Sequence, residues 1–215
     1  MTKTSVTSNS VLKSAQPTTG DPFEQRHPAS HMPTVIILAS GRGERFAASG
    51  GTTPKLQARL MGKTVLQRTL EAVQNSGLPW HLEDSSHPGM GDSIAAAVKK
   101  TPHANGWLIL PADLPLIHSA SLTAVAAALA GQDVVVPVYK GQRGHPVGFS
   151  TVCRRALLDL EGDRGAVRVV CLYGAMELPV DDVGCVTDID TVGDLAIVEY
   201  MLRCMASAEG TNHQT

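Results

Sequence analysis

Thr34-Val-Ile-Ile-Leu-Ala-Ser-Gly-Arg-Gly-Glu-Arg-Phe46 is the stretch that decides the fold. Thr34 to Ala39 is a continuous apolar run, the pattern of a strand buried on both faces. Gly41 and Gly43 follow at once, so the chain turns where that strand ends. Working outward, strand and helix patterns alternate. Thr64 to about Ser76 reads as a helix, with Thr64 and Gln67 as a capping box and Val65, Leu66, Leu70 and Val73 as its apolar stripe. Trp80–Glu83 is a short strand, and Ser93–Lys100 a helix ending in two lysines, where its dipole favours cations. Trp107–Leu110 is a second buried strand, Ser121–Ala130 an Ala-rich helix and Val134–Val138 a third strand. A strand at Val147–Phe149, helices at about 151–160 and 164–173, a strand at about 175–180 and a helix at about 191–203 complete the series. This alternation specifies an α/β fold, a three-layer sandwich around a mainly parallel sheet, whose ligand sits at the carboxyl ends of the strands.

Length and composition agree with one domain. Of the 215 residues, 43% are hydrophobic and 18% charged, and no internal repeat is evident. Residues 1–32, rich in Ser, Thr, Pro and Gln, are expected to be a disordered N-terminal extension, with Met32 an alternative start. Residues 33–205 form the domain and 206–215 a disordered tail. Eighteen Lys+Arg against 20 Asp+Glu give a net charge of −2, without the basic excess of a nucleic-acid-binding protein. Aromatic residues make up 4%, too few for a base-stacking platform. No apolar run approaches the ~20 residues of a membrane span, and no signal-peptide core is seen. Cys153, Cys171, Cys185 and Cys204 lack metal or redox spacing. These features point to a cytoplasmic protein with reduced thiols, no nucleic-acid partner and no membrane partner.

Three places carry candidate chemistry. In the loop after the first strand, Gly41 and Gly43 let backbone N–H groups approach an anion, with Arg45 and Lys55 adding positive charge. From Ser40 to Lys63 there are five cations and one anion, a local exception to the neutral whole. By itself the Gly-x-Gly pattern fits an ordinary glycine-rich turn equally well, and it matches neither Walker A nor the full dinucleotide fingerprint. The second place is Asp113, between Pro111 and Pro115 after a buried strand. There a carboxylate can hold Mg²⁺ while phosphates supply further ligands, or else serve as a turn or cap. The third is Val186-Thr-Asp-Ile-Asp190-Thr191, in a stretch from Glu177 to Glu199 with seven acidic residues and no Lys or Arg. Asp188 and Asp190 point the same way if the segment is extended, and Asp190, nearer the turn, is the chosen metal ligand. Thr191 with Asp194 suits a helix start.

Taken in order, Ile37-Leu38-Ala39-Ser40-Gly41-Arg42-Gly43-Glu44-Arg45-Phe46…Lys55-Leu56, Gly89-Met90-Gly91-Asp92-Ser93, Leu110-Pro-Ala-Asp113-Leu-Pro115, Val136-Pro137 with Gly141-Gln-Arg-Gly144-His145-Pro146, Gly162-Asp163-Arg-Gly165 and Asp188-Ile-Asp190-Thr191 resemble the molybdopterin nucleotidyltransferases. The likeness is nearest to the molybdenum cofactor cytidylyltransferase-like group and covers about residues 34–203. It implies a Rossmann-like nucleotidyltransferase fold and Mg²⁺-dependent transfer of a nucleotidyl group from CTP or GTP to molybdopterin, with release of pyrophosphate. Under it, Arg45, Lys55 and Asp113 are catalytic, and Asp113 with Asp190 binds the metal. Leu38 to Gly43 and Gly89, Met90, Gly91 and Ser93 bind the nucleotide. Gly144, His145, Pro146, Asp163 and Gly165 line the acceptor side, where a turn-bonding role for His145 stays equally open. A sugar- or small-alcohol-phosphate acceptor, and a non-catalytic nucleotide-binding module serving a molybdoenzyme or its chaperone, are the rival readings. Three departures stand out: Phe46 in place of the common Met, a longer loop between Arg45 and Lys55, and a short Leu78–Pro88 where relatives carry a strand–helix–strand unit. Trp80 and His81 in that region are either core or pocket.

Overall fold

The computed structural model describes residues 32–211, so the expected N-terminal extension, Met32 apart, and the last four residues of the expected tail lie outside the described residues. Among the described residues nine strands form two sheets: β1 (Thr34–Leu38), β4 (Trp80–Glu83), β5 (Trp107–Pro111), β6 (Val134–Tyr139), β7 (Gln142–Arg143), β8 (Val147–Phe149) and β9 (Met176–Pro179) make the main one. The two-residue strands β2 (Arg59–Leu60) and β3 (Lys63–Thr64) pair separately. The main order is β4-β1-β5-β8-β6-β7, with β9 beside β6. Pairing is parallel for β1 with β4 and β5 and for β6 with β9, whereas β8 runs antiparallel to both β5 and β6. The sheet is therefore mixed and mostly parallel.

Alternation along the strands builds two cores. Val35 and Ile37 of β1 face a cluster with Leu108, Leu110 and Val135, covered by α2 (Val65–Asn75) and α4 (Ser119–Ala128). Ile36 faces the other way, toward Ile109, Val136 and Phe149, under α3 (Met90–Lys100), α5 (Arg154–Leu158) and α6 (Val167–Tyr173). This is the expected three-layer sandwich. The Thr64–Gln67 capping box opens α2 in both of its hydrogen bonds. A third cluster, with Phe46, Leu60, Leu116, Ile189 and Val198, lies beneath α7 (Val192–Thr211).

Three local expectations differ. The chain forms a short helix α1 (Glu44–Ala48) inside the segment read as loop. The region expected as a helix over 151–160 is a 3₁₀ turn, Thr151–Cys153, followed by α5. Helix α7 continues to Thr211, beyond the expected end near 203 and into the segment read as tail.

At the edge strand β4, Glu83 is fully buried. Its carboxylate accepts hydrogen bonds from Lys100 Nζ (2.8 and 3.0 Å), His87 Nε2 (3.1 Å), His81 Nε2 (3.3 Å) and the Ser85 backbone N–H (3.3 Å). Burial pushes this carboxyl upward, but the bonds from Lys100, His87, Ser85 and His81 outweigh it and hold it at about 2, below its ordinary 4.5. A depressed carboxylate stabilises the fold above its unfolded value, and the gain is lost as pH falls from about 4.5 toward 2, an effect on the order of 3 kcal/mol. Glu83→Gln is therefore expected to be less stable at pH 7 by about 2–3 kcal/mol, with the gap to wild type closing between pH 5 and 2. Denaturant midpoints measured across that range check this, and a pH-independent gap would refute it.

Candidate active site

The carboxyl ends of β1 and β5 open into a cleft of about 880 Å³. Asp113 follows β5, and its neighbourhood is fixed through the backbone. The Ala112 N–H donates to Leu38 O (3.0 Å), the buried Thr69 hydroxyl donates to Ala112 O (3.0 Å), and the Ile189 N–H donates to Asp113 O (3.1 Å). Ile189 is fully buried in the cluster under α7, so Asp188 and Asp190 on either side of it are turned toward Asp113. One carboxylate oxygen from each of Asp113, Asp188 and Asp190 lies within 4.8 Å of the others.

Two cations meet this triad. Lys55 Nζ donates to Asp113 Oδ2 at 2.6 Å and lies 3.5 Å from Asp190 Oδ1. Arg45 Nη1 pairs with the other Asp190 oxygen. The longer loop before Lys55 does not displace it. Gly51 packs against the Phe46 ring so closely that a Cβ would lie 2.4 Å from it, and the Gly51 N–H donates to Phe46 O. The surplus loop is thus folded back on α1. Gly43, in the left-handed region at φ +62°, lets the backbone of the loop after β1 pass beside Lys55.

The residues present suit a divalent cation. All three candidate ligands are hard oxygen donors, and Asp113 Oδ1 is buried without a hydrogen-bond partner. Partial desolvation pushes the Asp188 carboxyl above its ordinary range, and the charges of Asp113 and Asp190 add to the effect, while Lys55 opposes it. Asp188 is the residue passed over in favour of Asp190. Its alternation with Asp190 was the visible signal, and the buried Ile189 between them brings both to the site.

Other expected residues distribute as follows. Leu38, Ser40, Gly41, Arg42, Gly43, Gly89, Met90 and Ser93 line the cleft, and the Ser40 and Ser93 hydroxyls are 2.8 Å apart. Gly144, His145 and Asp163 line it as well, with the Asp163 carboxylate beside Gly89. Ala39, Gly91, Pro146 and Gly165 do not line it. Gly91 instead lets α3 dock on the Glu161–Gly162 turn, where a Cβ would lie 2.8 Å from Glu161 O and the Gly91 N–H donates to Gly162 O at 2.7 Å. Gly165 makes the corresponding close approach to Met90. Asp194 accepts from the Thr191 backbone N–H (2.7 Å) and hydroxyl (2.8 Å), as a helix start requires. Trp80 packs against the core, and His81 binds Glu83. His87, Gln142 and Arg143 also line the cleft: sequence reasoning gave no signal for His87, and it held Gln142 and Arg143 only within the Gly141–Pro146 motif, without a role.

His145 is held by its backbone N–H to Cys185 O at 2.8 Å. Burial pushes its imidazole below the ordinary value, against the opposing effects of Asp113, the Ile109 carbonyl and Asp188, and its Nδ1 has no partner. Both buried thiols are suppressed: burial, with nearby Asp charges, pushes Cys153 up to about 11 and Cys185 up to about 12. All four cysteines are free. A second hollow of about 840 Å³ lies at the amino ends of β6 and β9, away from the triad, with Asp133 and Tyr173 as its ionisable residues. No helix among the described residues is long and apolar enough to cross a membrane.

Comparison with known proteins gives matches across this framework. A family model described as the MobA-like NTP transferase domain matches residues 70–176. Purine catabolism protein PucB of Bacillus subtilis (strain 168) is 31% identical over 186 residues, covering 73% of this chain and 90% of that protein. Rv0371c of Mycobacterium tuberculosis H37Rv shares the fold with a TM-score of 0.67 at 24% identity, covering 79% of this chain and 97% of that one. That protein has also been solved in complex with manganese. Molybdopterin-guanine dinucleotide biosynthesis protein A of Archaeoglobus fulgidus gives a TM-score of 0.57 at 17% identity, covering 79% and 98%.

Because Ile189 aims the two flanking aspartates, Ile189→Ala is expected to weaken Mn²⁺ binding by about tenfold and to lower stability by about 2–4 kcal/mol. Ile189→Val should stay near wild type in both. Electron paramagnetic resonance titration of Mn²⁺ and urea unfolding supply the readings. Unchanged Mn²⁺ affinity in Ile189→Ala would show that the triad is positioned otherwise.

Proposed function

We propose a reaction that proceeds from one premise: this chain belongs to the MobA-like NTP transferase family and is a nucleotidyltransferase. The reaction is Mg²⁺-dependent transfer of a nucleotidyl group, CMP in preference to GMP, from the NTP to the phosphate of molybdopterin or a similar acceptor. The observation that carries it is the junction of the Gly41–Gly43 loop with Lys55, Arg45 and the three carboxylates at the ends of β1 and β5. The preference for CMP and for molybdopterin rests on the motif resemblance, which is nearest to the cytidylyltransferase-like group.

An acceptor phosphate oxygen attacks the α-phosphorus of the NTP, the bond from that phosphorus to the bridging oxygen breaks, and pyrophosphate leaves with its electron pair. The attacking oxygen is already ionised at neutral pH, so the chain needs no strong general base, and positioning with charge neutralisation supplies the rate. The backbone of Gly41 to Gly43 receives the phosphates. Lys55 and Arg45 stand between that loop and the carboxylates, where they offset the charge that grows on the departing pyrophosphate. Of the residues lining the cleft, Leu38, Ser40, Gly89, Met90 and Ser93 are assigned to the nucleoside and Gly144 and His145 to the acceptor, while Asp163, also expected on the acceptor side, lies beside Gly89. Asp113, Asp188 and Asp190 would hold the divalent cation, which supplies charge neutralisation on the phosphates when bound.

Pyrophosphate release with each NTP, Mg²⁺ and molybdopterin tests this, with a sugar phosphate as the alternative acceptor. CTP with molybdopterin is expected to give the fastest release. Asp113→Ala should lower kcat by about a hundredfold or more, and release unchanged by it would remove Asp113 from the metal site. For Lys55→Ala the KM for the NTP should rise by about tenfold, and an unaltered value would take Lys55 off the triphosphate. No release with any NTP, while NTP still binds, would favour a binding module.

A further inference from the structure

The short connection after β4 brings a histidine to the cleft, just before the start of α3. His87 lines the cleft together with Pro88, Gly89, Met90 and Ser40. Its Nε2 lies 3.1 Å from Glu83 Oε1. Glu83 is fully buried and is gripped at the same time by Lys100, which projects from the last turn of α3. The segment is fixed at its other end too. A Cβ on Gly89 would lie 2.4 Å from the Gly162 backbone, so the α3 start is seated directly on that turn. His87 is therefore held between two anchors.

The chemistry of the anchor sets the chemistry of the ring. An ionised carboxylate only accepts hydrogen bonds, so the nitrogen facing Glu83 must carry the proton. In the neutral imidazole the other nitrogen, Nδ1, then presents a lone pair. We propose that His87, oriented by Glu83, reads the nucleobase through Nδ1 and selects a nucleotide whose base carries an exocyclic amino group. Cytosine N4 offers such a donor, whereas the O4 of uracil would set one lone pair against another. This deepens the transferase reading and rests on it, since it assigns the base side of the same cleft. His87 is a specificity-determining residue and Glu83 a positioning residue.

The test is the equilibrium affinity for CTP and for UTP, measured calorimetrically at pH 8 with Mg²⁺ and no acceptor, in the full-length protein. Wild type is expected to bind CTP at least about tenfold more tightly than UTP. In His87→Ala the two affinities should fall within about threefold of each other. Glu83→Gln removes the charge that fixes the ring proton, so it too should narrow the ratio, even though His87 remains, and a purely structural role would weaken both nucleotides alike. Thermal melting of each variant confirms a folded sample before titration. A wild-type ratio near one, or an undiminished ratio in folded His87→Ala, would overturn the inference while leaving the transfer reaction standing. Absence of binding to every NTP would overturn both.

Discussion

The hydrogen bond from the Ile189 N–H to Asp113 O ties the C-terminal acidic segment to the end of a central strand, 76 residues earlier in the chain. Three independent supports meet at that bond. β1 holds Ala112 by its Leu38 carbonyl, α2 holds it by the buried Thr69 hydroxyl, and the apolar cluster under α7 holds Ile189 itself. Without this join, Asp188 and Asp190 would be two solvated carboxylates on a loop. With it, they converge on Asp113, and the cost of gathering three anions is offset by Lys55 and Arg45. The site is thus a balance of charges imposed by backbone geometry, and it sits where an α/β sheet places its ligands.

The same principle operates on the other side of the cleft with opposite sign. Glu83 is a single buried anion surrounded by donors from β4, the following loop and α3, so it is satisfied rather than poised. It shapes the cleft by holding other groups. Asp113, by contrast, leaves one buried oxygen without a partner, which marks it as a group prepared for a ligand. The buried cysteines, with thiols pushed to about 11 and 12, contribute packing and no nucleophile.

Much of the framework was legible because local physics decided it. The apolar run in β1, the Thr64–Gln67 box and the Ala-rich segment of α4 each carry their periodicity or cap within a few residues. The short helix α1 was not legible. It is five residues long and buries only Phe46, in a cluster that reaches as far along the chain as Ile189 and Val198. The mixed sheet was partly hidden for a similar reason. Val147–Phe149 reads as a strand in either direction, and only its place between β5 and β6 makes it antiparallel. Among the glycines, the sequence motifs included positions 89, 91, 144, 162 and 165, but could not separate those that face the cleft, such as Gly89 and Gly144, from Gly91, which lets α3 approach another backbone.

The sequence by itself determined the layered α/β architecture, the cationic loop after the first strand and the acidic run before the last helix. Each depends on residue type and short-range spacing, which the chain carries wherever it goes. Tertiary structure alone decided that Asp188 joins Asp113 and Asp190, that a lengthened loop still delivers Lys55 to them, and that His87 lines the cleft with one nitrogen committed to Glu83. These depend on distances between segments tens of residues apart, and such distances are set by packing and by the pairing of buried polar groups, neither of which has a local signature.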